Sequence, residues 1–245
     1  MVHQKHYLIV DSTDRSTLSN SSSDFIVELP RVYHHIVRVN LLSYTVSNSI
    51  YTIDSRNDQL KFYEDIGFSY TTISLTHGIY NGSTLATHIA SVMTTNTANY
   101  YTYVGAYSST TLKMTFTATG GDFHFDFTNS NNSHLQMGFD NNSALASASS
   151  QVSPNVIRLD NPYCLLQSNL GNHLRSTSDS VSCSFMLQLP SSGSSETFTL
   201  NKTYDFDNDI NMNVNQIEIR LKDINNKTLN FNGSDSTFLF ELIER

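Results

Sequence analysis

Apolar and polar residues alternate with a period of two along most of this 245-residue chain, and that property restricts its fold more than any other. Phe25/Val27/Leu29 alternate with Asp24/Glu28, Val37/Val39/Leu41 with Arg38/Asn40, and Val181/Cys183/Phe185/Leu187/Leu189 with Ser182/Ser184/Gln188. Ile217/Ile219/Leu221 alternate with Glu218/Arg220/Lys222, and Phe238/Phe240/Leu242 share one face of the final run. Successive side chains of an extended backbone point to opposite faces, so each run reads as a half-buried antiparallel strand. Residues 25–29 and 37–41 are read as two strands joined by polar turn segments. Leu112/Met114/Phe116 and Phe123/Phe125/Phe127, separated by Gly120-Gly121, are read as a hairpin with one wet face.

The apolar phase is odd at Val37, Val39 and Leu41 and even at Leu42, Tyr44 and Val46. A period of two cannot change parity without an extra residue, so a bulge is predicted near Leu41-Leu42, or a strand that leaves one sheet for another there. One short helix is predicted after Gly82, with Ser83 as N-cap and Leu85, Ile89, Val92 and Met93 on one stripe, lying across the end of the sheets. Residues 129–153 are rich in Asn, Ser and Ala, with Leu135, Met137, Phe139 and Leu145 as the few apolar positions, and read as a long surface excursion. Ten or more short strands with one helix make an all-β antiparallel sandwich of jelly-roll type. The chain is expected to be one domain over 1–245, with room for an inserted region around 96–153.

The formal net charge is -8 and only 15% of residues are charged, so no basic footprint offsets a phosphate backbone and direct nucleic-acid binding is not expected. Polar Asp11 follows the start too soon for the apolar core of a signal peptide, and no run approaches the roughly 20 apolar residues of a membrane span. A soluble protein made in the cytoplasm is the expectation. Cys164 and Cys183 are too few for a disulfide framework or a structural zinc site and suit a reducing compartment. Sequons at Asn81, Asn201 and Asn232 arise readily in a chain this rich in Asn, Ser and Thr, and are expected to be unused.

Four constellations invite a chemical reading. Asp205, Asp207 and Asp209 alternate as calcium ligands do, but the glycine and the bidentate Glu of an EF-hand loop are missing, and an acidic loop rim is the simpler account. Asp122, His124 and Asp126 share one face of a predicted strand, as a metal or acid–base set would. They lie opposite three phenylalanines, as the solvated face of an amphipathic strand does. His34-His35 and the pair His3/His6 lack a carboxylate or Cys at ligand spacing; their protonation near pH 6 would act on subunit contacts. Tyr100, Tyr101 and Tyr103 form the one aromatic cluster suited to a sugar, with a core or interface role as the plainer reading. With no G-x-S-x-G elbow, P-loop or dinucleotide fingerprint, no residue is assigned to catalysis, cofactor or metal binding, and an enzyme is not expected.

Several segments together carry a family resemblance. Ile9-Val10-Asp11-Ser12-Thr13-Asp14-Arg15, Ser23 to Pro30, Val37 to Ser43 and Asn48-Ser49-Ile50-Tyr51-Thr52-Ile53 resemble the start of the penton, or minor capsid, proteins of virophages and Polinton-like viruses. Thr72 to Leu85 looks like the family's strand, Gly-x-Tyr turn and helix start. Gly138-Phe139 is similar to its Gly-Phe after the central hairpin, and 217–221 and 238–242 fit two late strands. Val46-Ser47-Asn48 replaces an Ile-Pro-Asn turn, and Thr76 replaces a Pro; losing Pro frees φ without forbidding the same turn.

The resemblance implies a jelly roll that forms homopentamers and closes the fivefold vertices of an icosahedral DNA virus beside a separate double-jelly-roll major capsid protein. The protein would then reside in the virion. A fivefold ring needs a head-to-tail contact between two different faces of each subunit. A second reading is a host-receptor or glycan-binding head that uses residues 100–103 or the loop after Asn129. An enzyme with a cupin-like metal site ranks last, because no converging His and Glu set is visible.

Overall fold

The computed structural model describes residues 3–17, 19, 21–66, 69–98, 100–141, 146–159, 162–171, 174–175, 182–205 and 212–245, with backbone alone at 69, 174–175, 182 and 201–205. In chain order these form β1 (Gln4–Asp11), β2 (Asp24–Ser47), β3 (Gln59–Glu64), β4 (Ser69–Ser74), α1 (Gly82–Asn96), β5 (Thr102–Ser108), β6 (Lys113–Thr119) and β7 (Phe123–Asp126). There follow α2 (His134–Met137), β8 (Ser150–Val152), β9 (Tyr163–Ser168), β10 (Leu174–Arg175), β11 (Ser182–Cys183), β12 (Phe185–Gln188), β13 (Ser195–Asp205), β14 (Met212–Lys222) and β15 (Thr237–Glu244). The fold is all-β and jelly-roll-like, and every ladder between these strands is antiparallel. Two compact units divide it, one comprising Met1–Ile50 with Asn161–Arg245, the other Tyr51–Asp160.

The first unit is a sheet in the order β1-β15-β2-β14-β9-β12, with β13 also paired to β2. Where two short strands are predicted, β2 runs for 24 residues without a turn. The prediction fails because β2 changes partners instead of ending: its residues 24–36 pair with β14, and its residues 36–47 with β13 and β15. Pro30 sits where β14 skips four residues of β2 between Gln216↔Glu28 and Val214↔Tyr33, so no ladder bond is asked of the missing N–H. The predicted bulge is present: Leu239 faces Ser43 and Phe240 faces Leu41, leaving Leu42 as the extra residue. The parity flip thus keeps Val39 and Leu41 before it, and Tyr44 and Val46 after it, on the buried face. They join Phe25, Ile217, Ile219, Leu221, Phe238, Phe240 and Leu242 in one core.

The second unit has two three-stranded sheets, β4-β3-β7 and β5-β6-β8. The predicted hairpin is therefore not one, since β6 pairs with β5 and β8 while β7 pairs with β3. Gly120, at φ 131, adopts a backbone that L side chains avoid, and a Cβ on Gly121 would overlap the Tyr101 ring; this tight passage sends the chain into the other sheet. Phe116 of β6 and Phe125 of β7 then meet edge to face across a shared core, ring centroids 5.3 Å apart.

The helix is present but begins differently. Asn81 is the N-cap, and its side chain accepts from Thr84 N while Thr84 Oγ1 accepts from Asn81 N, a reciprocal capping box that the Ser83 reading missed. Leu85, Ile89 and Met93 are buried as expected, and Val92 is partly so. The helix packs on β5 and β6 rather than across a sheet end. The stretch 129–153 is not only a surface excursion: Met137 and Phe139 are buried, β8 pairs with β6, and Ala148 bridges Phe123. Two well-placed apolar side chains suffice to anchor a polar segment.

Candidate functional site

The face carrying His124 and Asp126 is covered, correcting the solvated reading. All four residues of β7 are buried, because β7 pairs with β3 and places His124 beside Tyr63. The imidazole stacks on Tyr63 at 4.7 Å and meets Tyr70 edge-on at 6.1 Å. Its Nδ1 lies 2.9 Å from Ser147 Oγ, and that hydroxyl donates to Asp65 Oδ1 at 2.7 Å. With the serine proton spent on Asp65, Nδ1 must be the donor, and the Nε2 lone pair is buried without a partner. Burial pushes the His124 pKa down against the opposing pull of Asp65 and Asp126.

Asp126 accepts from Lys61 Nζ at 2.7 Å, and Lys61 lies 4.3 Å over the Tyr70 ring. Burial raises the Asp126 pKa, but the bonds from Lys61 and Thr128 outweigh it and hold the carboxyl below its ordinary range. A nucleophilic serine needs the histidine as proton acceptor, whereas here the hydroxyl faces a carboxylate and receives the imidazole N–H. The cluster clamps β3, β4 and β7 to the segment before β8. Asp65 and Ser147, 82 residues apart, escaped sequence reading because only the fold brings them together.

The other candidates do not converge. Asp205 lies on β13 opposite Arg38, and Asp207 and Asp209 fall outside the described residues. Among the described residues no group of three or more His, Cys, Asp or Glu is arranged to hold a metal. His34 Nδ1 is 3.2 Å from Asn213 Oδ1, with the His35 ring 6.4 Å away. His3 is exposed while His6 is buried, its Nε2 2.8 Å from Glu244 and its Nδ1 3.3 Å from an Arg31 nitrogen. Guanidinium only donates, so Nδ1 accepts and Nε2–H is given to Glu244. The tyrosine cluster splits: Tyr101 and Tyr103 are core residues, and Tyr100 alone is 96% exposed, at φ 60. Cys164 and Cys183 are both buried and not joined in a disulfide, and burial pushes the Cys164 thiol up to about 12.

Two apolar surfaces on the first unit were not anticipated. On β1, Tyr7 and Ile9 are 60% and 71% exposed, in one row with Lys5; the buried alternates His6, Leu8 and Val10 were the available signal for this strand. Elsewhere, a groove of about 400 Å³ is lined by Tyr44, Pro162, Tyr163, Met186, Phe198 and Leu200. The Phe198 ring stacks on Tyr44 at 5.1 Å and forms part of its wall.

The sequence profile of the Family of unknown function (DUF5901) matches residues 1–219. The chain belongs to this family. Among solved structures, the DUF5901 chain is similar to the crystal structure of the selenomethionine-labelled mavirus penton protein, with a TM-score of 0.53 and 10% sequence identity. The likeness spans 98% of this chain and 99% of that one, and at such identity it speaks for the fold. No curated protein matches the DUF5901 chain by sequence.

Proposed function

We propose that this DUF5901 chain is a structural capsid protein of the penton type, which assembles as a homopentamer at the fivefold vertices of an icosahedral virion beside a double-jelly-roll major capsid protein. The observation that carries this reading is the end-to-end likeness to a penton protein, 98% and 99% of the two chains, with no large segment left over in either. The interior chemistry agrees: His6 with Glu244, Tyr103 with Glu64, and His124 Nδ1 with Ser147 are spent on one another inside the fold, and only His124 Nε2 of these is left without a partner. In this reading the unit 51–160 is an insertion into a jelly roll built by the rest of the chain, and no side chain acts in catalysis.

Native mass measurement of the purified protein tests it, followed by electron microscopy of capsids assembled with and without the chain. Assemblies of five times the 27.5 kDa chain mass, and capsids whose vertices are filled only when it is present, are the expected results. A chain that stays monomeric at every concentration and never joins the capsid sinks the reading.

A further inference from the structure

Among the described strands β1 terminates the larger sheet: it pairs with β15 and with nothing on its other edge. Eight residues of unpaired edge beside an exposed Tyr and Ile form a surface that folded proteins usually cover. Its outward row is Lys5, Tyr7, Ile9, a cation followed by an aromatic and an aliphatic residue at every second position. Strand β13 carries a counterpart row, Glu196, Phe198, Leu200, in the order anion, aromatic, aliphatic. Phe198 and Leu200 line the groove; Glu196 is exposed and near enough for its charge to act on the Tyr44 hydroxyl, which sits in the groove wall. Side chains two residues apart on a strand are about 7 Å apart, a spacing that Lys5 and Tyr7 share with Glu196 and Phe198, while Leu200 lies where the β13 register shifts between Thr199 and Lys202.

We propose that the Lys5–Tyr7–Ile9 row of one copy docks against the Glu196–Phe198–Leu200 groove of a second copy, as the head-to-tail contact of the ring. This inference rests on the pentamer reading and supplies the two faces that reading leaves open. A second copy is the occupant for three reasons. The two surfaces belong to different strands of the same chain, which is the heterologous geometry a closed ring requires. They match in order of chemistry. A chain of net charge -8 repels its own copies except where one of its 14 Lys and Arg side chains meets an acid, as Lys5 would meet Glu196. The Lys5 ammonium already gives one of its three N–H donors to Glu241 at 2.9 Å, and its side chain is 56% exposed, which leaves the other two for a second carboxylate.

Two single-face variants of the full chain test this, Ile9→Glu on the row and Met186→Glu in the groove, each made at an exposed position so that the core is untouched. Native mass and sedimentation are read for each alone and for a 1:1 mixture, with thermal melting as the fold control. Each variant alone is expected to self-associate roughly 30-fold more weakly, the loss of one hot-spot contact. The mixture is expected to form a dimer and stop, because each partner keeps one intact face. Should Met186→Glu lose its native melting transition, Glu196→Lys, at an exposed charge, replaces it.

Five-membered rings that survive both substitutions overturn this interface and leave the pentamer reading standing. Wild-type assemblies of another size, abolished by either substitution and restored to dimers on mixing, support the interface and sink the pentamer. A wild-type chain that never self-associates sinks both.

Discussion

The Tyr103 hydroxyl donates to Glu64 Oε1 at 2.8 Å inside the second unit, and the Thr97 hydroxyl donates to the same oxygen. Glu64 is fully buried, so these donors offset the cost of taking a carboxyl group out of water. Burial, then the bond to Glu64, drives the Tyr103 hydroxyl well above its ordinary pKa and keeps it a donor. Tyr103→Phe is therefore expected to cost about 1–3 kcal/mol in urea unfolding, since it removes a donor and leaves its partner in place. A midpoint equal to wild type would show that Glu64 is satisfied without Tyr103.

Gly105 on β5 lies so close to α1 that a Cβ there would overlap the Ala86 carbonyl. Backbone cannot yield as a flexible side chain can, so Gly105→Ala must lift the helix off β5. A loss of about 1–3 kcal/mol is expected, the ordinary cost of overpacking, read as a lower Tm for the cooperative transition. A Tm at or above wild type contradicts the close helix–strand approach.

Acid is expected to weaken the second unit. Burial lowers the pKa of His88, His124 and His134. Geometry agrees at two of them: Thr76 N donates to His88 Nε2 at 3.1 Å, which requires an unprotonated nitrogen, and His124 Nε2 has no partner to receive a proton's N–H. The unfolded chain takes up these protons near pH 6.5, the folded chain only at lower pH. In between, the unfolded state binds more protons, so stability is full above about pH 6.5, falls as pH drops through the folded pKa values, and then levels. Tm measured from pH 8 to 5 checks this, and His124→Gln should flatten the slope. A Tm independent of pH over that range rules the account out.

Deleting Leu42 is expected to abolish cooperative folding, whereas Leu42→Ala, at a half-buried site, is expected to be mild. The deletion removes the residue that resets parity in β2 and would turn Tyr44 and Val46 away from the core while Val39 and Leu41 stay inside. Circular dichroism and thermal melts separate the two variants; a folded deletion mutant would mean that the register is set elsewhere.

The sequence by itself determined what depends on neighbours along the chain. The buried faces at 217–221 and 238–242, the helix stripe at Leu85, Ile89 and Met93, and the parity change at Leu41-Leu42 are all present where the pattern places them, because side-chain direction repeats every 2 or 3.6 residues whatever lies across the sheet. Tertiary structure alone decided which edges join. Local pattern cannot say that β7 pairs with β3 instead of β6, that β2 exchanges partners where a turn was expected, or that Tyr63 and Tyr70 roof over His124. A strand's outer face is wet or buried according to what another part of the chain lays on it, and Asp65 reaches Ser147 only because the end of β3 and the segment before β8 both lie beside Phe123 of β7. The same limit hid the Tyr7–Ile9 row and the Phe198 groove, since exposure belongs to the folded surface and not to the residues taken in order.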